Sequence, residues 1–313
     1  GDLTVSEAGT DTDNGLAAPA TFDTDEDGVQ EWAYAGDLLG NVWEFDLDKG
    51  SQQVIFQTEG PASQEQPITA GLLLGKESST GDLWAFFGTG KYLGESYRDD
   101  LSSIQSWYGI VVQSSNNKRV ISTSDTPDRS PTADSALVER FVEGETAATN
   151  DRLATRVFTK GPDLITDGNS PDKGWFIDLL PSTGDPQGER MVVPNQFQGS
   201  VLLGTSLIPE AVDVCNPSGR GYIMGLNPFQ GTNVAEAFVD ANGDGQVNAA
   251  DKVTIGDETY AVGAIGFSRI PNAPIFVGST MLISFDDGST ASVQTSGGGT
   301  TPGRMSWREI VGD

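Results

Sequence analysis

Two acidic runs carry the residue types and spacing that do chemistry. Asp23-Thr24-Asp25-Glu26-Asp27-Gly28-Val29-Gln30-Glu31 reads D-x-D-x-D-G-x-x-E. Asp240-Ala241-Asn242-Gly243-Asp244-Gly245-Gln246-Val247-Asn248-Ala249-Ala250-Asp251 reads D-x-N-x-D-G-x-x-N-x-x-D. Oxygen-bearing side chains at alternate positions, a glycine in sixth place and a backbone carbonyl in seventh describe a loop that wraps an ion. The glycine lets the chain curl so that alternate oxygens turn inward. Hard oxygen donors, with no nitrogen or sulfur among them, select calcium over transition metals, and a flexible shell disfavours magnesium. In the first run the expected ligands are the side chains of Asp23, Asp25 and Asp27, the Val29 carbonyl, and Glu31 in ninth place. In the second they are Asp240, Asn242, Asp244, the Gln246 carbonyl, Asn248 acting through a water, and Asp251 closing the shell in twelfth place. Turns rich in Asp, Asn and Gly also occur without an ion. The larger number of matched positions makes the second run the stronger expectation.

Such loops need a frame, and the frame reads as β. The sequence has 39 glycines and 16 prolines spread along 313 residues. Between them lie short β-branched and aromatic runs: Val54–Phe56, Leu83–Phe87, Tyr108–Val112, Val201–Leu203 and Ile275–Val277. Runs of this kind bounded by turn residues are strand signals. Helical periodicity is weak, with Asp134–Val142 the best candidate, inside a polar insertion at about 113–152. Trp32-Ala33-Tyr34-Ala35 follows the first acidic run at once, so a strand rather than a helix is expected to clamp that loop. Asn248–Val253 is expected to form one helical turn, and the second run resembles the calcium loops of dockerins.

Three eleven-residue segments run from glycine to glycine, Gly40–Gly50, Gly174–Gly184 and Gly221–Gly231, each an apolar strand followed by a turn. A companion pattern, Pro67–Gly75, Pro194–Gly204 and, more loosely, Ile270–Gly278, places small residues where strands crowd. The spacing suits blades of about 40–50 residues, and the pattern predicts an all-β protein, a β-propeller of about six to eight blades.

Charge and composition exclude several functions. There are 45 acidic and 18 basic residues, a formal net charge of −27, one cysteine (Cys215) and no histidine. This balance repels nucleic acid and anionic membrane surfaces and attracts cations. A histidine triad, a His or Cys zinc cluster and an internal disulfide are all excluded. No apolar run reaches the length of a membrane-spanning helix. The start at Gly1-Asp2-Leu3, with neither an initiator methionine nor a leader, is expected of an excised piece of a longer chain. Trp43, Trp84, Trp107 and Trp175 are read as packing between blades rather than as a ligand platform. Asp37 and Asp46 are read as turn caps. Cys215 is either an inert buried thiol or a partner for another chain.

The stretch from Ala33 to Leu47, A-Y-A-G-D-L-L-G-N-V-W-E-F-D-L, resembles the signature of the C-terminal propeller domain of the PilY/PilC family of type IV pilus tip-associated adhesins and biogenesis factors. Pro67–Ala70, Phe86-Phe87-Gly88-Thr89-Gly90-Lys91-Tyr92-Leu93, Gln105–Ile110, Gly174–Leu179, Thr205–Pro209, Cys215–Gly221 and the tail Gly303–Ile310 agree in order, from about residue 20 to the end. The resemblance implies seven irregular blades in a single domain at 21–313, with residues 1–20 an unassigned extension or a first strand. It implies calcium in a loop matching Asp240, Asn242, Asp244, Gln246 and Asn248. Further implications are an extracellular place at the pilus tip or outer-membrane surface, pilins or minor pilins as partners, and control of pilus extension against retraction in twitching motility. A host or surface ligand is a further class of partner; the family's N-terminal adhesion domain does not lie within these residues, so host-receptor binding is not carried over. No enzymatic activity is expected. Two rivals stay open: blades of quinoprotein dehydrogenases, which resemble Tyr34–Leu47 but lack support from a vicinal disulfide, and an integrin-like FG-GAP propeller, which would repeat the acidic loop in successive blades.

Overall fold

The computed structural model describes residues 14–93, 100–129, 136–149, 153–161, 163–164, 172–210 and 218–296. Cys215 and the tail motif at 303–310 lie outside the described residues. The described strands form five sheets of four, five, seven, two and three strands. The four-stranded sheet is a meander of Ala20–Phe22, Trp32–Gly36, Asn41–Asp46 and Ser51–Gln57, antiparallel throughout. The five-stranded sheet is built on Leu73–Lys76, Leu83–Gly88, Ser106–Gln113 and Gly174–Asp178, and adds Val138–Arg140 in parallel. In the seven-stranded sheet, Ala154–Phe158 pairs with Ala264–Phe267 and Ser218–Leu226 pairs with Val201–Thr205, so it gathers segments far apart in the chain. The hairpin Lys252–Ile255/Glu258–Ala261 and the final sheet Ile275–Val277/Thr280–Ser284/Thr290–Gln294 complete the described fold.

Alternation of side chains explains how these sheets stack. A strand sends successive residues to opposite faces. Along Leu83–Gly88, Leu83, Ala85 and Phe87 enter one core with Tyr34, Val42 and Phe56 of the four-stranded sheet, while Trp84 and Phe86 enter another with Leu202 and Met224 of the seven-stranded sheet. The seven-stranded sheet repeats the arrangement: Leu202 and Met224 face that second core, and Leu203 and Ile223 face a third core with Met281, Ile283 and Val293 of the last sheet. The first two cores are thus each shared by two sheets, and the third also takes in Val253 and Tyr260 of the two-stranded sheet. Strands buried on both faces read as continuous apolar runs rather than as alternating ones, which is why Leu83–Phe87 has no polar residue. A glycine serves the same crowding at Gly109, where a Cβ would lie 2.5 Å from the ring of Trp175 on the neighbouring strand.

The expected helix at 134–142 is not formed in its described part. Val138–Arg140 and Val142–Thr146 are strands, in the five- and seven-stranded sheets respectively. The reason is tertiary: Val138–Arg140 pairs with Trp175–Ile177, and that hydrogen-bonded ladder outweighs a weak local helical period. Two short 3₁₀ turns, Pro61–Ser63 and Ala249–Asp251, are the helical elements among the described residues. No helix among the described residues is long and apolar enough to cross a membrane, which says nothing about a β-barrel.

Candidate metal centre

The first acidic loop is a hairpin connection. Phe22 pairs with Trp32, so residues 23–31 close the turn between Ala20–Phe22 and Trp32–Gly36, and the Leu47 amide donates to the Glu31 carbonyl at 2.8 Å. Carboxylate oxygens of Asp23, Asp25, Asp27 and Glu31 lie within 4.8 Å of one another. No other such group of three or more His, Cys, Asp or Glu converges among the described residues. Asp23 Oδ2 accepts the Gly28 amide at 2.7 Å, Asp25 Oδ1 the Asp27 amide at 3.3 Å, and Asp27 Oδ1 the Val29 amide at 2.7 Å. Glu31 reaches back across the loop, its Oε2 accepting the Thr24 amide at 2.6 Å. Asp23 Oδ1 is buried and has no hydrogen-bond partner.

The second loop repeats this skeleton position for position. Asp240 Oδ2 accepts the Gly245 amide at 2.7 Å, Asn242 Oδ1 the Asp244 amide at 2.9 Å, and Asp244 Oδ1 the Gln246 amide at 2.8 Å. Asp240 adds Oδ1 contacts to the amides of Gly243 and Asp244, at 2.7 and 3.2 Å. The sixth-place glycines have the positive φ that the turn demands, 94° at Gly28 and 83° at Gly245. The ends are fixed to the sheets: the Asp240 amide donates to the Gln294 carbonyl and the Leu153 amide to the Ala241 carbonyl.

The loops differ in how they close. Glu31 in ninth place points its carboxylate into the oxygen cluster of the first loop. In the second loop the ninth residue, Asn248, caps the 3₁₀ turn Ala249–Asp251 and accepts the Ala250 amide at 2.8 Å. Asp251 is fully buried, and both of its oxygens meet backbone amides of the loop. An oxygen-only set of four converging acidic groups, one oxygen of which is buried without a donor, fits a hard divalent cation at the first loop. The second loop offers Asp240, Asn242, Asp244 and the Gln246 carbonyl for the same purpose, and Asn248 and Asp251 hold its far end.

Asp37 and Asp46, the two aspartates of the signature stretch, cap turns as expected. Asp37 is fully buried; its Oδ1 accepts the Leu39 and Asn41 amides, and its Oδ2 accepts Asn14 Nδ2, Asn41 Nδ2 and Trp43 Nε1. Asp46 Oδ1 accepts the Lys49 amide at 2.9 Å. Trp84, Trp107 and Trp175 are fully buried in the core between the five- and seven-stranded sheets, and Trp107 and Trp175 direct their indole N–H groups to Asn195 Oδ1 and the Pro228 carbonyl. The buried Arg156 is spent on Glu189, Nη1 to Oε1 at 2.9 Å, and on Glu145. The sequence places Asp251 as the residue that closes the shell; its bonds to the amides of Ala241, Asn242 and Asn248 were not foreseen. The signal was present: Asn248-Ala249-Ala250-Asp251 has the spacing of a capping box.

Successive sheets that share their cores, with the two acidic runs in connecting loops, have the architecture of a β-propeller. Its kin are specific. The profile of the PilY1 beta-propeller domain matches residues 3–130. A type IV pilus biogenesis factor PilY1 homolog of Xylella fastidiosa (strain Temecula1) is 34% identical over 302 residues, covering 96% of this chain and 22% of the relative. Type IV pilus biogenesis factor PilY1 of Pseudomonas aeruginosa (strain PAO1) is 25% identical over 335 residues, covering 96% of this chain and 28% of the relative. The crystal structure of the Pseudomonas aeruginosa PilY1 C-terminal domain has a TM-score of 0.73 against this fold at 23% identity, over 94% of this chain and 63% of that one. The chain belongs to the PilY1 family and corresponds to its C-terminal propeller domain. It spans 22% and 28% of the length of those two curated relatives.

Proposed function

We propose that this chain is a calcium-binding propeller domain of a type IV pilus biogenesis factor, without enzymatic activity, acting outside the cell at the pilus tip or outer-membrane surface. Calcium is held by Asp23, Asp25, Asp27, Glu31 and the Val29 carbonyl in one loop, and by Asp240, Asn242, Asp244 and the Gln246 carbonyl in the other. The observation that carries the reading is the convergence of four acidic side chains around a buried Asp23 oxygen that no donor satisfies. A buried anionic oxygen without a partner is costly unless a cation or water meets it.

The partner on this reading is a pilin or minor pilin. An open cavity of about 620 Å³ borders the second loop, walled by Asp240, Asn242, Gly243 and Gly245 on one side and by Phe267 and Val293 on the other. Calcium that stiffens the loop reshapes one wall of that cavity, and so couples ion occupancy to docking and through docking to pilus extension against retraction. The test is a strain whose chromosomal copy carries Asp25→Asn with Asp27→Asn, or Asp244→Ala, scored for surface pili and twitching at fixed calcium. Loss of twitching that tracks calcium affinity supports the proposal. Wild-type twitching in variants that no longer bind calcium overturns it. Direct calorimetry on the purified domain separates failure of binding from failure of coupling.

A further inference from the structure

We propose that Asp251 is a latch that assembles the second loop before a cation arrives, and is not the ligand that closes the shell. The inference rests on the calcium reading for its consequence, but its structural content stands on the loop alone. Asp251 Oδ1 accepts the amides of Ala241 and Asn242 at 2.8 and 3.3 Å, the second and third residues of the loop. Its Oδ2 accepts the Asn248 amide at 2.8 Å, at the loop's far end. One fully buried carboxylate thus ties the entry of the loop to its exit through three backbone donors. Asn248 answers with its side chain to the Ala250 amide, which completes the reciprocal cap on Ala249–Asp251.

Geometry separates this role from ligation. Asp251 is fully buried and takes no part in the wall of the cavity beside the loop, which Asp240 and Asn242 line. The acidic side chains of the second loop also fail to converge as those of the first do, since Asp23, Asp25, Asp27 and Glu31 form the only such group among the described residues. The chain beyond Asp251 enters the strand Lys252–Ile255 at once, and Ile255 packs over Gly144 of the neighbouring strand Val142–Thr146. The latch therefore also fixes the loop to a hairpin seated on the seven-stranded sheet. A loop held in shape this way meets its ion already folded, so less ordering opposes binding. Positioning groups of this kind typically alter metal affinity about 10- to 100-fold.

Amide hydrogen exchange and calcium titration of the purified domain decide the matter. In the metal-free wild type, the amides of Ala241, Asn242 and Asn248 exchange slowly. In Asp251→Ala they exchange at near-free rates, while the amides of Val42 and Phe56 in the four-stranded sheet keep their protection and report that the domain is folded. Calcium affinity of the second loop falls about 10- to 100-fold in the same variant. Asp251→Asn, which keeps an acceptor for Ala241, retains the protection of that amide and most of the affinity. A ligand role gives the opposite result: Asp251→Asn loses as much affinity as Asp251→Ala, with loop amides still protected in both. Free exchange of these amides in the metal-free wild type also overturns the latch. A wild-type second loop that binds no calcium removes the calcium reading there, and the exchange measurement still judges the latch.

Discussion

The two acidic loops share a hydrogen-bond skeleton and differ in what holds that skeleton together. In the second loop the protein does the holding: Asp240 and Asp251 are buried and take loop amides with every carboxylate oxygen. In the first loop Asp25 and Asp27 are exposed, Asp23 Oδ1 has no donor, and four acidic groups face one another. Mutual repulsion then opposes the folded loop, and on the proposed calcium reading a cation relieves it. The fourth position tells the same story, since Gly243 takes a φ of 75° without strain whereas Glu26 is forced to 62°. On the proposed calcium reading, one ligand spacing yields a preassembled loop in one place and an ion-assembled loop in the other. The choice lies in the residues that hold the backbone.

The largest effect that would break this comparison lies at the first position of each loop. Asp240→Ala removes the acceptor of three loop amides. It should destabilise the metal-free domain by about 2–3 kcal/mol, read as a lowered midpoint in urea. Asp23→Ala removes one amide contact and relieves repulsion, so its metal-free midpoint should stay within about 0.5 kcal/mol of wild type. Equal losses in the two variants would erase the distinction. Next in size, calcium should raise the thermal midpoint of the wild type, and Asp25→Asn with Asp27→Asn should remove the larger share of that rise. The first loop has more converging charge for the ion to neutralise. Asp244→Ala should remove the remainder. An unchanged calcium response in Asp244→Ala would take the second loop out of the comparison.

Smaller changes sharpen it. Glu26→Gly should stabilise the first loop by about 0.5–1 kcal/mol by releasing the left-handed backbone, and Gly243→Ala should cost the second loop about 1 kcal/mol, both read from urea midpoints. Smallest of all, Val29→Ala and Gln246→Ala should leave calcium affinity within about 0.3 kcal/mol of wild type by calorimetry, because the seventh position is expected to act through its carbonyl. A large loss in either would show that these side chains matter.

Much of the frame was legible. The apolar runs at Val54–Phe56, Leu83–Phe87, Tyr108–Val112, Val201–Leu203 and Ile275–Val277 all lie in strands, because side-chain pattern and turn glycines act locally. Asp37 and Asp46 were legible as caps for the same reason. The strand Val138–Arg140 was not, since its partner Trp175–Ile177 is remote in the chain and nothing near residue 138 announces it. Counting matched positions favours 240–251, while the convergence of acidic oxygens favours 23–31.

Residue type and local spacing were enough to set the oxygen-only character of both loops and the glycines at Gly28 and Gly245, and to exclude a histidine site and an internal disulfide. Only the tertiary structure decided that one strand feeds two cores, that segments as distant as Ala154–Phe158 and Ala264–Phe267 lie side by side, and that Asp251 turns onto backbone amides. A carboxylate takes whichever donors the fold brings within about 3 Å of it. Spacing along the chain does not specify which donors those will be.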